Sequence, residues 1–271
     1  MSEGSEDRRM KFDQAIIPFC EAAAKLLQEE QVLRAMVDGK DLDAPVKRFE
    51  MANVLLDVAS NYLAINGTSQ SMRNQKSKES LEEARKAVNR SVFLIEEIVS
   101  SFVDVPFSDY EARLAGIESV SADRRFSLVQ KMGLAIYLLE NSFEENTKWK
   151  WTFDEMEGRF SVITKNLINL HTFVSNSDFR SPNYHSVFLH LRMAKKLLLK
   201  AANRYRKRYE VATNYTDDFK KAISFLSALQ RLTVLTNAAQ EAATIKKQLD
   251  AWTHKLNADI VRRKMQSTGK S

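Results

Sequence analysis

The chain has 271 residues, 44% of them hydrophobic and 28% charged, which supports one large helical domain or two smaller ones and excludes a disordered chain. Seven glycines and four prolines are too few for an architecture of many tight turns or for a loop-rich active site. A net charge of +6 inclines the protein toward anionic partners, a single cysteine allows no intramolecular disulfide, and no apolar run of about 18 residues exists to cross a membrane.

Residues 1–10 are polar and lack the apolar core of a signal peptide, so they read as a flexible leader on a cytoplasmic protein. The sequons at Asn66, Asn89 and Asn214 are then chance matches. Residues 11–103 read as N-terminal helical hairpins. A first helix from Lys11 to Val37 places Ile16, Phe19, Ala23, Leu26, Leu27 and Leu33 at three-to-four spacing. Pro18 marks a kink or the true start, and Cys20, in the same apolar run, is expected to be a buried small hydrophobe. Residues 38–41 form a turn by composition. Asp43 and Pro45 open a second helix that should stop at the left-handed signal Asn66-Gly67. The third helix, Ser71 to Val103, has a polar half expected to protrude and an apolar half with the seam Val88, Val92, Ile95, Val99 and Phe102. Glu96, at the margin of that seam, is placed for a buried ion pair with a base from another helix.

Asp104-Val105-Pro106 is a weak boundary, and 108–265 reads as a C-terminal helical bundle, either separate or continuous with 11–103. Ser108 and Glu111 form a capping box for a short helix to Val120. Ser121 caps a helix to Asn146 with Phe126, Val129, Met132, Ile136 and Leu139 inward, and Gly133 allows a close helix approach. Thr152 and Glu155 form a second capping box, with Trp151 and Met156 as its hydrophobic staple, opening a helix to Asn176. Ser181-Pro182 opens the next helix, which runs to Thr213. The last, Thr216 to Met265, is the longest at about 75 Å if unbroken, with a bend or break near Thr236. Residues 266–271 form a flexible tail. No fixed repeat period recurs. The expected fold is all-α: an irregular antiparallel bundle of about seven or eight helices, with the long C-terminal helix as its spine.

Two stretches point toward a partner. From Arg192 to Arg208 there are eight Lys or Arg residues and no acid. Val187, Leu191, Ala194, Leu198, Ala201 and Tyr205 form its apolar stripe, and Arg192, Lys196, Lys200, Arg204 and Lys207 fall on the opposite half at about 100° per residue. Such a ridge suits a phosphate backbone, an anionic surface or an acidic protein. It suits equally well a solvated outer face paired with acids such as Glu144, Glu145 or Asp217. The second stretch, Lys148-Trp149-Lys150-Trp151, alternates basic and aromatic residues, which serves base stacking or, alternatively, core packing.

Built-in chemistry finds no support. His171, His185, His190 and His254 never stand with Glu at the spacing of di-iron bundles, and His185 and His190 lie about 140° apart on their helix. His171 is expected to be a hydrogen-bonded histidine at the core edge. The adjacent acid pairs diverge by about 100°, and Asp217-Asp218 reads as first-turn acids on a helix dipole. No catalytic residue, metal or cofactor is assigned. The reading is a non-catalytic interaction or scaffolding module that binds another protein through helix faces, with self-association through the C-terminal seam as a variant. The alternative is polyanion binding through 192–208 with Lys148, Trp149 and Lys150, in which nucleic acid is possible in charge terms but not favoured.

Overall fold

A computed structural model of the chain describes residues 3–37, 42–143, 149–176 and 178–268. Among these, ten α-helices form and no strand does, so the chain is all-α: α1 (Glu3–Ala35), α2 (Ala44–Arg73), α3 (Lys78–Ile98), α4 (Glu111–Ala115), α5 (Ala122–Ser142), α6 (Lys150–Asn166), α7 (Leu170–Asn176), α8 (Tyr184–Arg208), α9 (Thr216–Leu235) and α10 (Ala239–Thr268). A short 3-10 turn at Phe107–Asp109 precedes α4, and one π turn at Tyr209–Thr213 extends α8. The turn expected at 38–41, the helix end at Asn146, and residues 1–2 and 269–271 lie outside the described residues.

Helices α1, α2 and α3 run antiparallel. The Arg73 guanidinium lies 4.8 Å over the Phe12 ring at one end of the α1–α2 pair, and Lys47 donates to the Met36 carbonyl at the other. Helix α1 starts at Glu3, ahead of Lys11, continues through Pro18, and leaves Cys20 exposed instead of buried. It packs along one narrow line, burying Phe12 and Ala23 while Ile17 and Val32 stay exposed.

Helix α2 does not stop at Asn66-Gly67. Asn66 is buried and its Oδ1 accepts the Ser77 backbone N–H at 2.9 Å, so its side chain secures the start of α3 and the helix proceeds to Asn74. Among the described residues the left-handed ones are Asn74, Asn214 and Asn237, ending α2, the π turn and α9. Asn237 breaks the long C-terminal run next to Thr236, which folds α10 back along α9. Helix α3 therefore starts at Lys78 with Ser77 as its cap, and its polar half packs through Leu81 and Ala84. Val88, Val92, Ile95 and Val99 form the buried seam, while Phe102, past the helix end, is 70% exposed.

Ser121 caps α5 as expected, accepting the Arg124 N–H, and Phe126, Val129, Met132, Ile136 and Leu139 are buried. The two capping boxes do not form. Ser108 sits in the 3-10 turn and donates to Asp109, while Thr152 lies inside α6, whose cap is Trp149, so no Trp151–Met156 staple exists. Asn183, and not Ser181, is the cap of α8.

The helix at the centre is α6, not the C-terminal one, because small residues let its neighbours approach. A Cβ on Gly158 would lie 3.1 Å from Tyr205 Oη and 3.4 Å from Phe225, and one on Gly133 of α5 would lie 3.0 Å from Phe160 and 3.2 Å from Met193. Ser161 and Thr164 direct their hydroxyls to the Gly158 and Phe160 carbonyls at 2.7 Å, and so bury without needing outside partners. Phe153, Met156, Phe160 and Ile163 join α2, α3 and α5 in one core cluster. Val162 joins α8, α9 and α10 in a second, where Tyr209 stacks on Phe219 and Trp252 closes over Phe219.

One residue of α6 opposes this packing. Lys165 is buried with its ammonium 5.4 Å from the Tyr110 ring, and burial pushes it down to about 8 against the more distant pull of Asp104. Because a buried charge with no carboxylate within ion-pair distance among the described residues is penalised, Lys165→Met is expected to stabilise the fold by about 1–2 kcal/mol. Thermal denaturation checks this: an unchanged or lower Tm would mean that Lys165 is better solvated than its burial implies.

Candidate functional site

The flanks of the basic α8 helix are engaged inside the fold. Lys200 Nζ lies 2.6 Å from Glu157 Oε1 of α6. Arg204 reaches Glu140 of α5 and Asp154 of α6, each at 2.9 Å, with Glu157 Oε2 at 3.1 Å. Arg208 meets Glu155 and the buried Asp218, and Lys195 on the other flank meets Glu241 of α10. Burial pushes the Asp154 and Glu157 carboxyls up despite these cations, as expected where ion pairs lose water. The covering acids are therefore Glu140, Asp154, Glu155, Glu157, Asp218 and Glu241, and Asp217 pairs within its own helix with Lys220. Glu144 and Glu145 lie outside the described residues.

Arg192, Lys196 and Lys207 remain along the crest, exposed and without an ion partner among the described residues, beside the exposed Phe188 and Leu199. The five ridge residues thus divide: Lys200 and Arg204 hold helices together, and the other three face solvent. Of the second stretch, Lys148 lies outside the described residues. Trp149 packs edge-on to Phe143 at 5.5 Å under the Arg85 guanidinium at 4.7 Å. Lys150 lies 5.6 Å from the Trp151 ring, whose closer cation is Arg208 at 4.6 Å. Both tryptophans are held by neighbouring cations of the same chain.

A groove of about 530 Å³ opens between α1, α2, α3 and α6. Its apolar part is Met51, Leu94, Val37 and Phe93, the last 56% exposed. Four arginines line it: Arg34, Arg48, Arg90 and Arg159. Arg34 and Arg90 share the almost fully buried Glu30 at 2.6 and 2.7 Å, and Arg48 meets Glu97 at 3.1 Å. Arg159 grips Glu96 through two hydrogen bonds of 2.8 and 2.6 Å, which raise its already high basicity. That last pair is the ion pair expected at the margin of the α3 seam. Four cations against three carboxylates leave the groove net positive by one.

A family model, that of the TP0443 family, matches residues 8–260. The chain belongs to the TP0443 family. No curated protein matches it, and no solved structure does.

The TP0443 family match spans α2 to α9 completely, so the groove and the α8 ridge both lie within it. The seam of α10 expected to mediate self-association is taken up inside this fold, with Ala242, Ile245, Trp252 and Leu256 buried. His171 is exposed at the start of α7, bonded to Glu111 and edge-on to Phe107, and does not sit at the core edge. The groove arginines were not singled out from sequence because they lie on four different helices. The acids of α6 carried a readable signal, since Asp154 and Glu157 are one turn apart on one face, opposite the acid-free α8.

Proposed function

We propose that this chain is a non-catalytic helical module that binds another protein, and that the groove between α1, α2, α3 and α6 takes an acidic, partly apolar segment of it. The observation that carries this is the exposed Phe93 set among four arginines over an apolar floor. Aromatic and arginine side chains contribute most to protein interfaces, and guanidinium groups already oriented by single carboxylates lose less freedom when a partner's acid arrives. The groove lining contains no histidine, cysteine or hydroxyl group beside its single Glu97, which supports binding over acid–base or nucleophilic chemistry.

The test uses a displayed library of amphipathic helical peptides. Selected binders should pair Asp or Glu with Leu or Phe, and their affinity should fall about tenfold or more in Phe93→Asp and in Arg48→Glu. Selection of sequences without acids, or binding indifferent to both changes, would remove the groove from consideration.

The free crest of α8 supports polyanion binding as a second reading, through Arg192, Lys196 and Lys207. Three contacts give a salt slope of only about −3, so any such binding is weak and lost at moderate salt. Retention on heparin at low salt, abolished by changing these three residues to Glu, would favour it; indifference of the unaltered protein at low salt would end it.

A further inference from the structure

A second cavity, of about 250 Å³, shares no lining residue with the groove. It lies between the turn before α5, the link Leu167–Asn169 that follows α6, and the start of α8. Its wall includes Arg125 and His190, which are 8% and 5% exposed. Arg125 Nε donates to the Val120 carbonyl at 2.9 Å, which orients the guanidinium. Its two terminal amino groups have no protein acceptor, and no carboxylate lies within ion-pair distance among the described residues. The amino groups are not fully enclosed, so they meet the solvent of the cavity, and an anion there would pair a guanidinium that is otherwise hydrated only through that opening.

We infer that this cavity binds a small oxyanion, a carboxylate or phosphate carrying a short apolar body, with Arg125 as its anchor. The surrounding features fit an anion of that kind. Ser121 and Ala122 bring in the N-terminus of α5, and Asn183 brings in that of α8, where no side chain caps the first-turn N–H groups. Both helix N-termini face this space, and Asp123 in the first turn of α5, which accepts from Ser186 of α8, offsets part of their positive potential. His190 Nε2 lies 2.9 Å from the Thr164 carbonyl, and burial pushes the ring down to about 4, so it is a neutral wall that adds no competing charge at pH 7. Val120, Leu167, Ile168 and Val187 supply the apolar lining. The volume equals the liquid share of about eight waters, which suits a short-chain acid or phosphomonoester and not a nucleotide. Glu118 stands exposed in the lining and acts on Arg125 at a distance, so it opposes an incoming anion.

The experiment is calorimetric titration of the full chain with inorganic phosphate, butyrate and phenyl phosphate. At least one should bind saturably, and which one does separates a phosphate from a carboxylate ligand. Arg125→Gln should weaken binding by about tenfold or more, as loss of a bidentate charged contact does. Val187→Trp, which fills the cavity and leaves Arg125 intact, should abolish binding in a protein whose circular dichroism is unchanged. Glu118→Gln should tighten binding. Absence of saturable binding by all three probes would overturn the inference, as would binding unaltered in Val187→Trp and Glu118→Gln, which places the anion on surface lysines.

Discussion

Replacing Arg204 by methionine is expected to destabilise the fold by about 3 kcal/mol, because it strands carboxylates that α5 and α6 hold against α8. Asp154 and Glu157 keep only 13% and 10% of their side-chain surface in water, and Arg204 is their shared cation. Removing one partner of such a cluster leaves charges without compensation. The loss falls at the lower end of the range for buried pairs because Arg204 retains 26% exposure and Lys200 still reaches Glu157. Adding Asp154→Asn and Glu157→Gln to Arg204→Met should recover most of the loss, since neutral groups do not need the guanidinium. Denaturant unfolding of the single and triple variants measures both. A single-variant loss below about 1 kcal/mol would class the cluster with ordinary surface pairs.

Acidification between pH 6.5 and 4 is expected to remove a further share of stability through His190. Burial pushes this ring down to about 4, with the Thr164 hydrogen bond opposing and the nearby Arg125 adding to the shift. An unfolded histidine titrates near 6.5, so between these values the unfolded chain binds a proton that the folded chain refuses. Stability from this residue is therefore complete above about pH 6.5 and declines as pH falls toward 4. A difference of that size corresponds to about 3 kcal/mol. His190→Gln retains an N–H donor for the Thr164 carbonyl and removes the titration. The gap in unfolding free energy between the two proteins should therefore narrow steadily across this window. A constant gap would show that the ring titrates normally.

Periodicity read the helices well wherever one face was uniformly apolar. The seam of α3 from Val88 through its cap Val99, the inward residues of α5 and the α8 stripe from Leu191 to Tyr205 are buried as spaced, while Val187 at the start of α8 is only half-buried. It read poorly where polar residues are buried for packing. Asn66 looked like a terminator and is instead a buried acceptor within α2. Spacing predicts a helix from the Thr152 capping box to Asn176, yet α6 ends at Asn166 and the chain from Phe160 to Ile168 is buried throughout. Gly158, Ser161 and Thr164 are too small to register in a hydrophobic count, but they let α5, α8 and α9 close around it.

The chain by itself therefore determined its class: scarce glycine and proline, helical spacing and long stretches of good helix formers leave an all-α bundle as the outcome. It also determined where the excess positive charge lies, since an acid-free helix is visible in one dimension. The tertiary structure alone decided what that charge does. Whether a lysine on a ridge meets solvent or a carboxylate depends on which helix packs beside it, and the acids facing α8 come from α5, α6, α9 and α10. The same holds for the four-arginine groove and for Arg125. Each is a meeting of residues far apart in the chain, and such meetings are set by packing between helices, not by spacing along one.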